Sequence, residues 1–227
     1  MTRRNLLDEI LSKRGRCPSD KIRIDLFNKR YTRLYETSMQ LFTESAKTNP
    51  EATIVDAEVI RYFPIALVAC IEGYFRMAIA DLINIGPPFI ERVANLRDLN
   101  ISVDVAIAIQ TQKITLGEYI SHFLSLNNLE DINKALSVLL NFDFLERLLT
   151  GRFDLFGKKE AEPFHLEELR GPFVVSIKEL FHTRHILCHE FAPELRIDNS
   201  QIMKFFTCAD LFVGLSEVII WAEECNK

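Results

Sequence analysis

The chain has 227 residues, of which 48% are hydrophobic and 26% are charged. This ordinary globular mixture excludes a disordered chain, and the length fits one large helical domain, since cores stop growing only near ~250–300 residues. The net charge of −5 excludes a broadly basic surface that wraps nucleic acid.

Positive charge is concentrated at the N-terminus. Residues 1–33 hold ten Lys and Arg against four Asp and Glu, whereas the remainder holds 17 against 28. We therefore expect any RNA contact to be local, in a groove or along a basic, helical N-terminal segment that covers residues 1–50. A solvated amphipathic helix face explains the same charges equally well.

The sequence predicts a cytoplasmic protein that makes no contact with a membrane. Asp8 and Glu9 stand where a signal peptide needs its apolar region. The longest apolar run, 63–71, is interrupted by Pro64, and no run reaches the ~18 residues of a membrane span. The five cysteines form no Cys-x-x-Cys pair, and their odd number argues against a disulfide framework, so we expect reduced thiols.

Long stretches of helical periodicity, separated by glycine and proline, predict an all-α fold. The first helix is expected over residues 21–47. Asp56 is predicted to cap a second helix that ends near residue 85, with Pro64 as a kink or as its true start. The apolar middle of this helix, 65–75, predicts a central position in a bundle, which makes Glu72 a carboxylate on a mostly buried element.

The remaining elements are expected to be short helices followed by two long ones. Residues 151–163 are predicted to form an exposed loop. The last two helices are expected over 166–191, with Gly171-Pro172 as a candidate break, and over 200–224. The short helices are predicted over 88–96, 116–126, 129–139 and 142–149, joined by polar turns such as Asn127-Asn128.

The segment 179–191, ELFHTRHILCHEF, holds three of the five histidines and an arginine within about three helical turns. On a helix, His182, His185 and His189 share one stripe. Arg184 lies about 140° from His189 at 100° per residue, so the two can flank one groove. This segment is the strongest functional signal in the chain.

Two interpretations of the segment involve no acid–base chemistry. Three aligned histidines can bind zinc, and Glu179 with His182 forms a Glu-x-x-His pair like that of di-iron bundles. A di-iron site needs a second such pair, and the other one, Glu162 to His165, contains Pro163. Alternatively, the histidines form a solvated face without chemistry.

The third interpretation is cleavage of a phosphodiester without a metal. A histidine near its ordinary pKa of ~6.5 can take a proton from a ribose 2′-hydroxyl or give one to the leaving oxygen. An arginine beside it supplies charge and a planar set of donors for the phosphorane that forms. General acid and general base lie on opposite sides of the phosphate, so one active histidine per chain predicts a site shared by two copies.

At these residues the sequence resembles the HEPN superfamily. RHILCH, 184–189, is similar to its Arg-x4–6-His motif, with His185 in the polar place after the arginine, and the variant RH-x3-H resembles that of RNA-processing HEPN nucleases. VACIEGYFR, 68–76, resembles the early HEPN helix, in which a glutamate precedes an aromatic residue, here Glu72 and Tyr74. The resemblance covers about residues 59–221.

The resemblance implies a HEPN-like bundle with an up-down four-helix core, in which residues 87–163 are a helical insertion. It implies a homodimer whose motif helices face each other, and a metal-independent endoribonuclease, without a cofactor, that leaves a 2′,3′-cyclic phosphate. Such proteins often act as toxins or antiviral effectors. Arg184 would stabilise the phosphorane and His189 would act as general base or acid, with His185, Glu72, His182 and Glu190 in supporting places.

One alternative belongs to a different functional class. A HEPN-like helical module without catalysis would bind a nucleotide, an antitoxin or another protein partner instead of cutting RNA. The presence of both Arg184 and His189 favours the nuclease.

Overall fold

The computed structural model describes residues 22–45, 53–96, 101–153, 164–165, 170–190 and 195–225. Nine α-helices lie within these residues, and the prediction of an all-α fold is confirmed. A 3₁₀ turn, Val93–Asn95, follows the third helix, and two very short strands, β1 (Arg152–Phe153) and β2 (Phe164–His165), pair antiparallel. The helices are α1 (Ile22–Ser45), α2 (Thr53–Ile85), α3 (Phe89–Arg92), α4 (Val103–Gln110), α5 (Leu116–Phe123), α6 (Leu129–Leu140), α7 (Phe144–Thr150), α8 (Arg170–His189) and α9 (Asn199–Cys225).

The four long helices α1, α2, α8 and α9 pack on one another, and α2 contacts each of the other three. The predicted central position of the second helix is therefore confirmed. The short helices α5 and α6 pack on α2 from the side, and α6 also contacts α8. The segment between the second and eighth helices thus adds a layer beside the long helices and reaches the helix that carries the histidines.

Apolar side chains from α1 to α9 form one continuous core. Phe75, at the middle of α2, has its ring centroid 4.9 Å from that of Phe212 and 6.3 Å from that of Phe144. Aromatic pairs at these separations add about 0.5–1.5 kcal/mol beyond the burial of their area. These contacts fix α7 and α9 against the central helix.

The expected cap of α2 is wrong, because the helix begins at Thr53 and Asp56 lies inside it. Of the two places expected for Pro64, the true start is also wrong, since Pro64 lies within the helix. A proline inside a helix removes one backbone hydrogen bond. Here the neighbouring Phe63 and Leu67 are buried in the core, and this packing holds the helix together across the proline.

The end of α2 is predicted correctly. Gly86 follows Ile85 with a φ of +101°, in the left-handed region that favours glycine, and its N–H donates to the carbonyl of Ile83 at 3.2 Å. Pro87 and Pro88, joined by a cis peptide bond, follow and cannot continue the helix.

Among the short helices, α4 was not predicted from the sequence. It begins after Ser102, whose hydroxyl accepts from the N–H of Val105 at 3.4 Å. Its Val and Ile residues are stiff, β-branched side chains that lower the helical signal. The predicted helix over 88–96 is α3 followed by the 3₁₀ turn, and α5, α6 and α7 lie where short helices were expected.

Several predictions fall partly outside the described residues. They include the basic segment at 1–21 and most of the predicted loop over 151–163, of which Arg152–Phe153 forms β1 instead. Gly171 and Pro172 lie in the first turn of α8 and do not break it. A proline there costs little, because the first N–H groups of a helix have no partner within it.

Two helices, over Glu58–Ile85 and Asn199–Cys225, are long and apolar enough to cross a membrane by length and composition. The count of uninterrupted apolar residues in the sequence had identified neither helix as a possible membrane span. A buried core helix passes the same test, and 67% and 56% of their most apolar windows are buried within the bundle. They are weak evidence for a membrane, and the cytoplasmic location stays a prediction.

A buried arginine ties α1 to the rest of the bundle. Arg23, 6% exposed, pairs in a two-pronged manner with Glu217 and with Glu224 on α9, and its Nη1 lies 2.9 Å from Asp81 on α2. The hydroxyl of Tyr74 also donates to Glu217, at 2.7 Å. Burial alone would lower the pKa of Arg23, but its hydrogen bonds to Glu224 and Glu217 raise it.

Candidate active site

One face of α8 carries a row of basic and aromatic side chains. Lys178, Phe181, His182, His185 and His189 occupy positions i, i+3, i+4, i+7 and i+11, which lie above one another on a helix. They line a groove of about 440 Å³, and Arg184 lines the same groove from the edge of the row. The structure therefore brings Arg184 and His189 to one groove, as their spacing predicted.

The opposite wall of this groove is the start of α6 and the turn before it. Asn127, Asn128, Leu129 and Glu130 line it. Asn128 caps the helix, accepting from the N–H of Asp131 at 2.7 Å, so the backbone of this turn is fixed. The groove therefore lies between the helix with the histidines and the region predicted as an insertion.

Arg184 forms an ion pair with Glu72 on α2. Its Nη2 lies 3.5 Å from Oε1 of Glu72, and the two side chains are only 23% and 18% exposed. That oxygen is buried and accepts no hydrogen bond from the described residues. Burial raises the pKa of Glu72, although the charges of Arg184 and Arg76 oppose the shift. The charge of Arg184 therefore offsets part of the cost of burying the Glu72 carboxylate.

The histidines present their rings to solvent. His182, His185 and His189 are all exposed, and the ring centroids of His185 and His189 are 4.9 Å apart at an angle of 50°. Because these two rings stand on the same face of one helix, they reach a bound phosphate from the same side. An exposed imidazole can exchange protons with a substrate in the groove.

Glu190 is the predicted site residue that lies apart from the groove. It is exposed and lines a separate cleft of about 250 Å³, together with Arg61, Tyr62 and Leu187. The structure offers it no contact with Arg184 or His189 among the described residues. A supporting place for Glu190 in the same site is therefore not favoured by the geometry.

Lys178 and the whole wall formed by α6 were not predicted from the sequence. Lys178 stands one helical turn before His182 on the same face, so its position on the row was available from the spacing. Its Nζ lies 2.6 Å from Oε1 of Glu130, across the groove. The spacing within one helix carries no information about this partner, which comes from a distant part of the chain.

The metal interpretation gains no support from the geometry. Among the described residues, no three side chains of His, Cys, Asp or Glu converge as metal ligands do. Glu179, expected to pair with His182, points to α9, where its carboxylate accepts from Nε2 of Gln201 at 2.7 Å and lies 3.4 Å from Nζ of Lys204.

Comparisons with protein-family models, with curated proteins and with solved structures find no match. The motif residues and the geometry of the groove are therefore the features that bear on function. A permanent cation, Arg184, and an exposed imidazole, His189, share a groove with a second cation, Lys178. Such a set suits an anionic ligand that undergoes proton transfer.

Proposed function

We propose that the protein is a metal-independent endoribonuclease of the HEPN type, with Arg184 and His189 as catalytic residues. The observation that carries the proposal is the shared groove: a half-buried arginine, aimed by a carboxylate behind it, lies beside exposed histidines. The packing of the three other long helices around α2 also supports the four-helix core that the resemblance implies. The segment 87–163 is then an insertion in that core.

In the proposed reaction, the phosphodiester bond lies in the groove with its phosphate beside Arg184. His189 takes the proton of the 2′-hydroxyl, and the 2′-oxygen attacks phosphorus to form a phosphorane. The bond to the 5′-oxygen then breaks as that oxygen receives a proton from a general acid. The products are a 2′,3′-cyclic phosphate and a free 5′-hydroxyl, so no water or metal is consumed in the step.

His189 and Arg184 each contribute to the rate of the proposed reaction. Proton transfer by a positioned histidine is worth about 10²- to 10⁴-fold. The guanidinium of Arg184 stabilises the charge that develops on the equatorial oxygens, and removal of one such donor costs about 10²- to 10³-fold. Glu72 keeps the guanidinium directed towards the groove, and His185 binds or orients the phosphate.

The general acid is proposed to come from a second copy of the chain. His185 and His189 of one chain approach a phosphate from the same side, whereas the leaving oxygen departs on the opposite side. A two-fold arrangement of two α8 helices supplies a second His189 there. A role as a toxin or antiviral effector in the cytoplasm, controlled by an antitoxin or another protein, belongs to the same proposal.

The test is cleavage of a mixed RNA pool in the presence of EDTA. Wild-type protein is expected to cut RNA and leave cyclic-phosphate ends, while His189→Ala loses the activity. His122→Gln, on α5 and outside the groove, serves as the matched histidine control and should cut like the wild type. If a folded wild-type protein and both variants leave RNA intact, the nuclease proposal fails and a non-catalytic binding module takes its place.

A second arm of the test addresses the shared site. Adding an excess of His189→Ala protein to the wild type produces mixed dimers in which a single His189 remains. Cleavage per wild-type chain is expected to fall as the excess grows, because the proposed site needs a His189 from each copy. Cleavage per wild-type chain that stays constant would contradict a site of this kind.

A further inference from the structure

Lys178 and Glu130 form an ion pair across the groove, away from the catalytic pair. The distance between Lys178 Nζ and Glu130 Oε1 is 2.6 Å, and both side chains line the groove. They belong to α8 and α6, so the pair bridges the two walls. Lys178 lies eleven residues before His189, a separation of about 16 Å along the helix. This length has room for a few nucleotides of a single strand.

The pair is weak enough to open. Its side chains are 51% and 63% exposed, and exposed ion pairs contribute little to stability because water screens them. Lys178 holds the pKa of Glu130 below its usual range, so the glutamate is charged at neutral pH. A phosphate that enters this end of the groove meets one lysine to bind and one carboxylate that repels it.

We propose that Lys178 forms a binding subsite for the backbone of single-stranded RNA, and that Glu130 occupies this lysine until RNA displaces it. The inference rests on the proposed function, since it concerns the substrate of the same groove. It assigns a role to the predicted insertion: the start of α6 supplies the wall and the competing charge. Lys178 is a binding residue for the RNA backbone, and no step of the reaction passes through it.

Other basic side chains of the groove favour this assignment. His182 stands between Lys178 and His185 on the same face, so the row of Lys178, His182, His185 and His189 is continuous along α8. Phosphates repeat along a nucleic acid strand, and a row of cationic or protonatable groups is the arrangement that follows them. Outside the basic N-terminal segment the chain is acidic, so a local row of this kind is what the groove offers to RNA.

The chain provides a matched control on the other side of α8. Lys204 pairs with Glu179 at 3.4 Å, and its side chain is 50% exposed, close to the 51% of Lys178. The pair connects α8 to α9 and lies outside the groove. Lys204→Ala and Glu179→Gln therefore change the net charge in the same way as Lys178→Ala and Glu130→Gln, without touching the proposed subsite.

The experiment measures binding of a fluorescent single-stranded RNA by anisotropy, in a His189→Ala background with EDTA so that the RNA stays intact. Lys178→Ala should weaken binding roughly three- to tenfold and reduce the dependence of log Kd on log salt by about 0.7, the value for one phosphate contact. Glu130→Gln should tighten binding. In the Lys178→Ala background the gain from Glu130→Gln should be smaller, because only the repulsion of phosphate by Glu130 is then relieved and no lysine is released.

The outcomes separate this inference from the proposed function. If the wild type cuts RNA and Lys178→Ala binds RNA like Lys204→Ala, the subsite is refuted while the nuclease stands. If the His189→Ala protein binds no RNA and the wild type cuts none, the proposed function fails and the subsite with it. In cleavage assays with otherwise wild-type protein, Lys178→Ala should raise KM and leave kcat unchanged, since a uniform binding contact is lost.

Discussion

Replacing Gly117 by alanine would push a methyl group into the contact between α5 and α2. A Cβ atom at this position would lie 2.8 Å from Oδ1 of Asn84 and 2.9 Å from the carbonyl carbon of Ala80, and closer still to the carbonyl oxygen. Real Cβ atoms essentially never approach within 3.0 Å of such atoms. Because the obstacle is the backbone of α2, no side-chain rotation relieves it, and α5 must move away.

The movement also disturbs a hydrogen-bonded junction. The N–H of Gly117 donates to Oδ1 of Asn84 at 3.0 Å, and the amide of Asn84 donates to the hydroxyl of Thr115 at 3.0 Å. Thr115 is the cap of α5, in a reciprocal capping box with Glu118. Overpacking costs about 1–3 kcal/mol, so we expect Gly117→Ala to lower the free energy of unfolding by about 2 kcal/mol or more.

Thermal unfolding followed by circular dichroism measures the effect. A loss of about 2 kcal/mol corresponds to a Tm lower by about 4–8 °C in a chain of this size. Gly214, inside α9, is the matched control, since a Cβ there would meet nothing within 4 Å. Gly214→Ala should raise the free energy of unfolding by about 0.4–1 kcal/mol, because alanine favours the helix and restricts the unfolded chain. Equal changes in Tm for both variants would refute the close approach of α5 and α2.

Three further predictions concern charged residues. Arg23→Met leaves Asp81, Glu217 and Glu224 facing an uncharged side chain, so urea titration should show a loss of about 3–5 kcal/mol, and a loss below 1 kcal/mol would contradict the buried pairing. Arg184→Lys keeps the charge but not the planar donors, so kcat for RNA cleavage should fall at least about 10-fold with little change in Tm. An unchanged kcat would show that Arg184 takes no part in the reaction. The pKa of Glu72 is raised by burial, so the folded chain binds its proton more tightly than the unfolded chain does. Its contribution to stability is thus full below the ordinary carboxyl pKa of about 4.3 and is lost as pH rises through the folded value. Urea titrations should therefore show that the free energy of unfolding of Glu72→Gln rises relative to that of the wild type as pH rises. A difference between the two proteins that does not change with pH would contradict the raised pKa.

Much of the long-helix framework was predictable because each long helix carries its signal within its own sequence. The end of α2 follows from Gly86 and the two prolines after it, and the start of α9 from Asp198, which accepts from the N–H of Gln201 at 2.7 Å. The start of α2 was not predictable in this way. Pro64 locally disfavours a helix, but the burial of its neighbours in the core of the bundle outweighs this preference.

The candidate site was predictable only along one helix. The stripe of His182, His185 and His189 follows from helical geometry, and Arg184 lies at its edge as the angle predicts. The pairing of Arg184 with Glu72 needs two helices that are about a hundred residues apart in sequence, and the family resemblance gave Glu72 only a supporting place. The wall made by α6 had no local signal, because Glu130 looks like any acidic residue in the first turn of a helix.

Glu72 poses the question whether the carboxylate serves the fold or the site. In a purely structural role, the pairing with Arg184 would outweigh the cost of burying both groups, and the pKa of Glu72 would lie below its usual range. The pKa is raised instead, and Oε1 has no hydrogen bond within the described residues, so the charged carboxylate costs the folded state more than its partner returns. In the proposed function, the same carboxylate would hold the guanidinium of Arg184 towards the groove, and this role does not require Glu72 to stabilise the fold. Glu72→Gln should accordingly retain or gain stability at neutral pH and still lose RNA cleavage, whereas a structural glutamate would lose both together.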